Sequence, residues 1–263
     1  MSRRVVVALL GPVTWTPPGI EPARWRTALA EDVVDLLATL NEVETAVAVT
    51  AQDRWLADAV VWPGTPVYEV PEPTPNAVFA VLAAAWQAAE ADPARGRGRA
   101  TVEASDGSAT SVGPAAVDGL AGPNGREAVD GSAAVAGATA VDGPAAVYDQ
   151  VAVVAADAPD VPGLTLGKLL RPLTTRLVAV APVEGSGTGL LGVAARLPVP
   201  AWLPALDLNT TEPAEVRRAA PNPGDVAVTA GWRRMRGPAD LAARDPAGEG
   251  WEATRALLSG RPA

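Results

Sequence analysis

Residues 151–162 read Val-Ala-Val-Val-Ala-Ala-Asp-Ala-Pro-Asp-Val-Pro, and this stretch decides the fold class. An unbroken small-apolar run with this β-branched content is expected to be a strand buried on both faces, as in a parallel sheet. Its carboxyl end is where open α/β sheets place their chemistry. Pro159 and Pro162 stop the strand, and Pro162 pre-sets φ for the first turn of a following helix. Asp157 and Asp160 are thereby expected on a tight loop at the sheet edge. Such a pair suits a divalent metal carrying phosphate oxygens. The same residues also read as punctuation, with Asp160 capping the next helix and Asp157 only ending the strand.

Similar runs lie on either side. Arg4 to Leu10, Val43 to Thr50, Pro66 to Val70, Arg176 to Ala181, Leu190 to Ala195 and Asp225 to Ala230 all read as strands. Between them, Ala23 to Leu40 carries Leu29, Val33, Leu36, Leu37 and Leu40 on one helical face and Glu31, Asp32 and Asp35 opposite. Thr74-Pro75-Asn76 opens a second long helix, running to about Ala91 and burying Phe79, Leu82 and Trp86. Shorter helices are expected at Arg54–Val61, Leu164–Arg171, Pro213–Ala220 (capped by Thr210 or Thr211), Pro238–Arg244 and Glu249–Leu258. This alternation, with few hairpin signals, predicts a three-layer α/β fold: a mostly parallel sheet with helices on both faces. Val5–Leu10, Val43–Val49, Val151–Ala155 and Arg176–Val180 are expected as neighbours in that sheet.

Residues 93–147 depart from the rest: Gly, Ala, Ser, Val and Asp dominate, and Val-Asp-Gly recurs at 117, 129 and 141. Each repeat offers little more than one Asp, too few for stacked calcium-binding turns. A disordered, internally duplicated insertion is the expectation, dividing one α/β domain into residues 1–92 and 148–263.

Composition excludes much chemistry. The chain of 263 residues has no His and no Cys, so thiolate or imidazole zinc sites, Ser-His-Asp and Cys-His nucleophiles and disulfides are ruled out. A net charge of −9 disfavours nucleic acid or an anionic membrane surface as partner. No stretch approaches the roughly 18 apolar residues of a membrane span, and the short apolar run after Arg4 ends at Gly11-Pro12 without a cleavage site, so a cytoplasmic protein is expected.

Two further segments could meet a ligand. Glu184-Gly185-Ser186-Gly187-Thr188-Gly189 has three glycines that let a backbone approach a phosphate or carboxylate, with Ser186 and Thr188 offering hydroxyls. It reads equally as a flexible turn between strands. Arg233, Arg234 and Arg236 follow the last strand and could grip a nucleotide phosphate or form a solvated basic turn.

Asp157-Ala158-Pro159-Asp160-Val161-Pro162, then Gly185-Ser186-Gly187-Thr188 before Leu190-Leu191, then Gly237-Pro238-Ala239-Asp240-Leu241, resemble motifs of the GT-A-fold nucleotidyltransferases. The likeness is nearest to the 2-phospho-L-lactate (or phosphoenolpyruvate) guanylyltransferases of deazaflavin-coenzyme synthesis and a neighbouring glycosyltransferase-like group. It spans most of residues 4–245, and Asn76 matches an Asn at a comparable helix start. The resemblance implies a nucleotide-diphospho-sugar transferase-like fold and Mg²⁺-dependent nucleotidyl transfer from a nucleoside triphosphate to a small phosphorylated or acidic acceptor. Asp157 would hold the metal, with Asp160 beside it as a catalytic neighbour. Ser186, Gly187, Thr188, Asn76, Arg234 and Arg236 would contact substrate. Such transfer depends on positioning and charge neutralisation, so it needs neither His nor Cys. Two departures imply an alternative, a catalytically degenerate nucleotide-binding or protein-interaction relative. The family's first loop carries Lys and Arg where this chain has Thr14 to Pro22, TWTPPGIEP. The family's Asp-x-Asp-Thr-Pro segment is Arg234-Met235-Arg236-Gly237-Pro238 here, with arginine at both aspartate positions.

Overall fold

The computed structural model describes residues 2–91, 147–185, 188–245 and 247–260. The expected insertion at 93–147 falls almost wholly outside the described residues, as do Ser186 and Gly187 and the side chain of Trp86.

Seven strands form one sheet in the order β3-β2-β1-β4-β6-β5-β7. They are β1 (Arg4–Leu9), β2 (Glu44–Val49), β3 (Val67–Glu69), β4 (Gln150–Ala155), β5 (Val178–Pro182), β6 (Leu190–Arg196) and β7 (Val226–Val228). Val7 of β1 aligns with Ala46 of β2 on one side and with Val153 of β4 on the other, both parallel. All neighbouring pairs are parallel except the two that β6 makes, with β4 and with β5. The four strands expected as neighbours share this sheet, but β6 stands between β4 and β5 and runs against both. The reason is loop length. Residues 183–189 are too few for a crossover helix, so the chain returns antiparallel.

The period-2 geometry of a strand sends β4 side chains alternately to two cores. Val151, Val153 and Ala155 join the cluster under α3 (Pro75–Ala91), with Val78, Phe79 and Leu82, and α5 (Pro213–Ala219), with Val216. Ala152 and Val154 join the opposite cluster. There α1 (Pro22–Ala38) contributes Val33, Val34 and Leu37, α2 (Arg54–Val60) Leu56 and Ala57, and α4 (Gly163–Leu170) Leu166 and Leu169. Both faces are covered, which is the three-layer α/β arrangement and the reason the strands read as unbroken apolar runs.

Helix starts follow local chemistry. Glu21 caps α1, accepting from Ala23 N and Arg24 N at 2.9 Å each, with Pro22 as first residue. For α5 the cap is Glu212 in a reciprocal box with Glu215, not Thr210 or Thr211. Thr211 is instead buried, its hydroxyl accepting from Asp207 N at 2.9 Å. Two short helices, α6 (Pro238–Ala242) and α7 (Glu252–Leu258), close the described chain. No helix among the described residues is long and apolar enough to cross a membrane.

Candidate functional site

Strand order reverses between β1 and β4: from β1 the chain moves to β2 and β3 on one side and to β4 on the other. This is the topological switch point, and the crevice beyond the carboxyl ends of its strands is the default ligand site of an open α/β sheet. Here that crevice is lined by Leu9 to Val13 after β1, Ala155 to Asp157 after β4, and Asp207 to Asn209, with Arg26 and Arg234. Its cavity is about 40 Å³, enough for a few waters. The proline-rich first loop narrows it. Trp15, Val13 and Ile20 pack with Trp25, Leu29 and Met235 in a third apolar cluster, and Trp25 Nε1 donates to Trp15 O at 2.9 Å. The loop that would carry phosphate-gripping cations in the resembled family thus packs its apolar side chains against α1 and Met235.

Asp157 stands at the carboxyl edge, as β4 predicts, but it is only 3% exposed. Both of its oxygens accept from Arg234: Nε to Oδ1 at 2.5 Å and Nη2 to Oδ2 at 2.9 Å. The bidentate fork matches guanidinium to carboxylate geometry. The other Arg234 donors are taken too. Nη1 donates to Leu190 O at 3.1 Å and Leu208 O at 2.7 Å, and Nη2 to Asn209 Oδ1 at 2.9 Å. A guanidinium has five N–H groups, and every one is engaged. The backbone fastens the same place, since Met235 N donates to Asp157 O at 2.7 Å. The charge that a metal would bring to Asp157 is supplied by Arg234. The residues present therefore do not fit Mg²⁺ at Asp157, and among those described no three His, Cys, Asp or Glu side chains gather to hold a metal.

Asp160 does not cap the helix that follows it. α4 starts from Pro162 with no side-chain cap. Asp160 Oδ1 instead accepts from Trp232 Nε1 at 2.9 Å and pairs with Arg244, whose side chain is only 1% exposed. Burial pulls the Arg244 guanidinium down to about 10, against the opposing pull of Asp157 and Asp32. Asp32, on α1, accepts from Ala253 N at 2.8 Å and Thr254 N at 2.9 Å at the start of α7. Burial raises its carboxyl to about 6 despite those bonds.

Arg236 is half-buried beside the crevice wall at Leu208. Its Nη1 donates to Thr188 O at 2.9 Å and its Nη2 to Leu208 O at 3.1 Å, while Nε is buried without a hydrogen-bond partner. Desolvation first, then the neighbouring Arg234 charge, lowers its pKa. Thr188 itself is exposed on the β5–β6 turn, next to Gly189 at φ +81. A Cβ on Gly189 would come within 2.6 Å of Leu208 O and Asn209 O and 2.8 Å of Arg236 Nη2, so only glycine lets the turn dock here. Asn76 pins the segment after β6: its Nδ2 donates to Pro204 O at 3.0 Å and its Oδ1 accepts from Leu206 N at 2.7 Å.

The structure thus brings Asp157, Arg234, Arg236 and Thr188 to one corner and leaves Asn76 as a staple. Asn209, Asp207, Arg26, Trp232 and Arg244 belong to this corner without having been singled out from sequence. Asp207-Leu208-Asn209 carried one usable signal, a polar turn between two ordered elements.

Neither a protein-family model nor a curated protein sequence matches the chain. Among solved structures it is similar to a Desulfovibrio desulfuricans G20 protein with the provisional description of nucleotide-diphospho-sugar transferase. The identity is 12%, the TM-score 0.49, and the match covers 98% of this chain and 96% of that one. A likeness of that degree carries nothing about activity.

Proposed function

We propose that this chain is a catalytically silent, transferase-like α/β protein that binds an anionic ligand of the nucleotide type at the carboxyl edge without a metal. The observation that carries the reading is the saturation of Arg234, with two of its five donors closed on Asp157. Mg²⁺-dependent nucleotidyl transfer, the activity implied by the resemblance, needs a free Asp157 carboxylate, and freeing it would strip a buried arginine of both charge-assisted bonds. A small acidic acceptor would have to fit a cavity that holds only a few waters. Arg26 in the crevice wall and Arg236 beside it keep donor capacity, each with an Nε that has no hydrogen-bond partner among the described residues. Arg236 is only half-buried and feels the like charge of Arg234, so an anion beside its guanidinium lowers the electrostatic energy.

The test is calorimetric titration with nucleoside triphosphates and nucleotide sugars, with and without Mg²⁺. The expected result is binding that Mg²⁺ does not strengthen, lost in Arg236→Ala, with no product formed on addition of phosphorylated or acidic acceptors. Binding that requires Mg²⁺, or turnover of any nucleotide, would overturn it.

A further inference from the structure

At the opposite end of the sheet, the segment 39–43 that follows α1 faces the length of α4. The groove between them is about 520 Å³, within the size range of small-molecule sites. Leu166 and Leu170 are buried along its wall, with the half-buried Leu40 and Val43 facing them. Gly167 belongs to the same stripe of α4, and a Cβ there would meet nothing within 4 Å. The groove's charge is not balanced. Arg4 and Arg171 line it against one carboxylate, the exposed Glu42. Among the described residues neither arginine has a carboxylate partner, and Arg4 Nε is buried with no hydrogen-bond partner. Arg171 follows the last turn of α4, where a cation also complements the helix end. Arg4, on a strand, has no such use.

We infer that this groove binds an amphipathic anion: a carboxylate or phosphate monoester held by Arg4 and Arg171, carried on an apolar chain that lies along Leu40, Leu166 and Leu170. An apolar wall without the cations would suit any hydrophobe, and cations without the wall would suit any anion. Their combination in one groove selects a ligand having both parts. The site lies at the amino edge of the sheet and does not depend on the carboxyl-edge reading.

Calorimetry on the full chain tests this with decanoate and decyl phosphate, which separate the two headgroups, and with decanol and inorganic phosphate as half-ligands. At least one charged amphiphile is expected to bind saturably, about ten-fold or more tighter than decanol, with inorganic phosphate giving no heat. Arg4→Gln with Arg171→Gln should remove that advantage while leaving decanol unchanged. Gly167→Leu, at an exposed helical position with open space, should abolish binding of all three chains. Arg236→Ala should leave them untouched. Equal affinity for decanol and the anions, no saturable binding of either anion, or unchanged binding in the arginine or glycine variants would overturn the inference.

Discussion

The two ends of the sheet treat arginine in opposite ways. At the carboxyl edge, Arg234 is buried and gives every donor to the protein, and the crevice around it has closed to about 40 Å³. At the amino edge, Arg4 and Arg171 face a groove of about 520 Å³ with no carboxylate partner of their own. The fold directs ligands to the first place, and the side chains leave room at the second. Position in a fold supplies an opportunity for chemistry, while the balance of donors and acceptors decides whether that opportunity is open.

The contrast can be broken by substitution. Arg234→Met strands a buried carboxylate and takes a donor from Leu190 O and Asn209 Oδ1, so it should cost about 3–5 kcal/mol in equilibrium urea unfolding. Adding Asp157→Leu to it should restore much of the loss, because the uncompensated charge goes. If Arg234→Met unfolds at the wild-type urea concentration, the corner is not the structural clamp described.

Asp32 sharpens the same picture through pH. Its folded pKa, about 6, lies above the ordinary value of 3.8, so the fold favours the protonated form. Its contribution is full below about pH 3.8 and is lost as pH rises through about 6. Relative to Asp32→Asn, the wild type should therefore lose roughly 2–3 kcal/mol between pH 4 and pH 7. A flat difference between the two proteins across that range would place Asp32 outside the buried network.

Gly189→Ala forces a Cβ into the Leu208 and Asn209 carbonyls at a positive φ, and should destabilise by about 1–3 kcal/mol. The same change should weaken nucleotide binding at Arg236, since the turn carrying Thr188 must move. The smallest effects belong to the amino edge. Arg4→Gln and Arg171→Gln should each change stability by less than about 0.5 kcal/mol, because neither holds a partner in place. A large loss from either would mean that the groove cations are structural after all.

Much of the fold was legible because the physics behind it is local. Strands buried on both faces show as uninterrupted Val/Ala runs, and both predicted faces of β4 are filled by helices. Glu21-Pro22 and Thr74-Pro75 marked helix starts through short-range capping. The direction of β6 was legible too, from the seven residues between β5 and β6, but only if loop length is weighed against the parallel pattern of the other strands. The site was half legible. Asp157 could be placed at the carboxyl edge from Val151–Pro162 alone. Its partner could not, since Arg234 lies 77 positions away and nothing in a run of three arginines says which one turns inward. Asn76 shows the converse: a helix-start Asn in a familiar place turns its amide to the 204–206 backbone, a contact its position in the sequence does not announce.

The most direct test of the central claim, that Arg234 stands where a metal would, is the urea midpoint of wild type and Asp157→Asn in GTP alone and in GTP with Mg²⁺. A native-state ligand raises the midpoint in proportion to its binding. The account predicts that Asp157→Asn lowers the midpoint under both conditions and that Mg²⁺ moves neither protein. A wild-type midpoint that rises with Mg²⁺, together with loss of that rise in Asp157→Asn, would show a working metal site and contradict it.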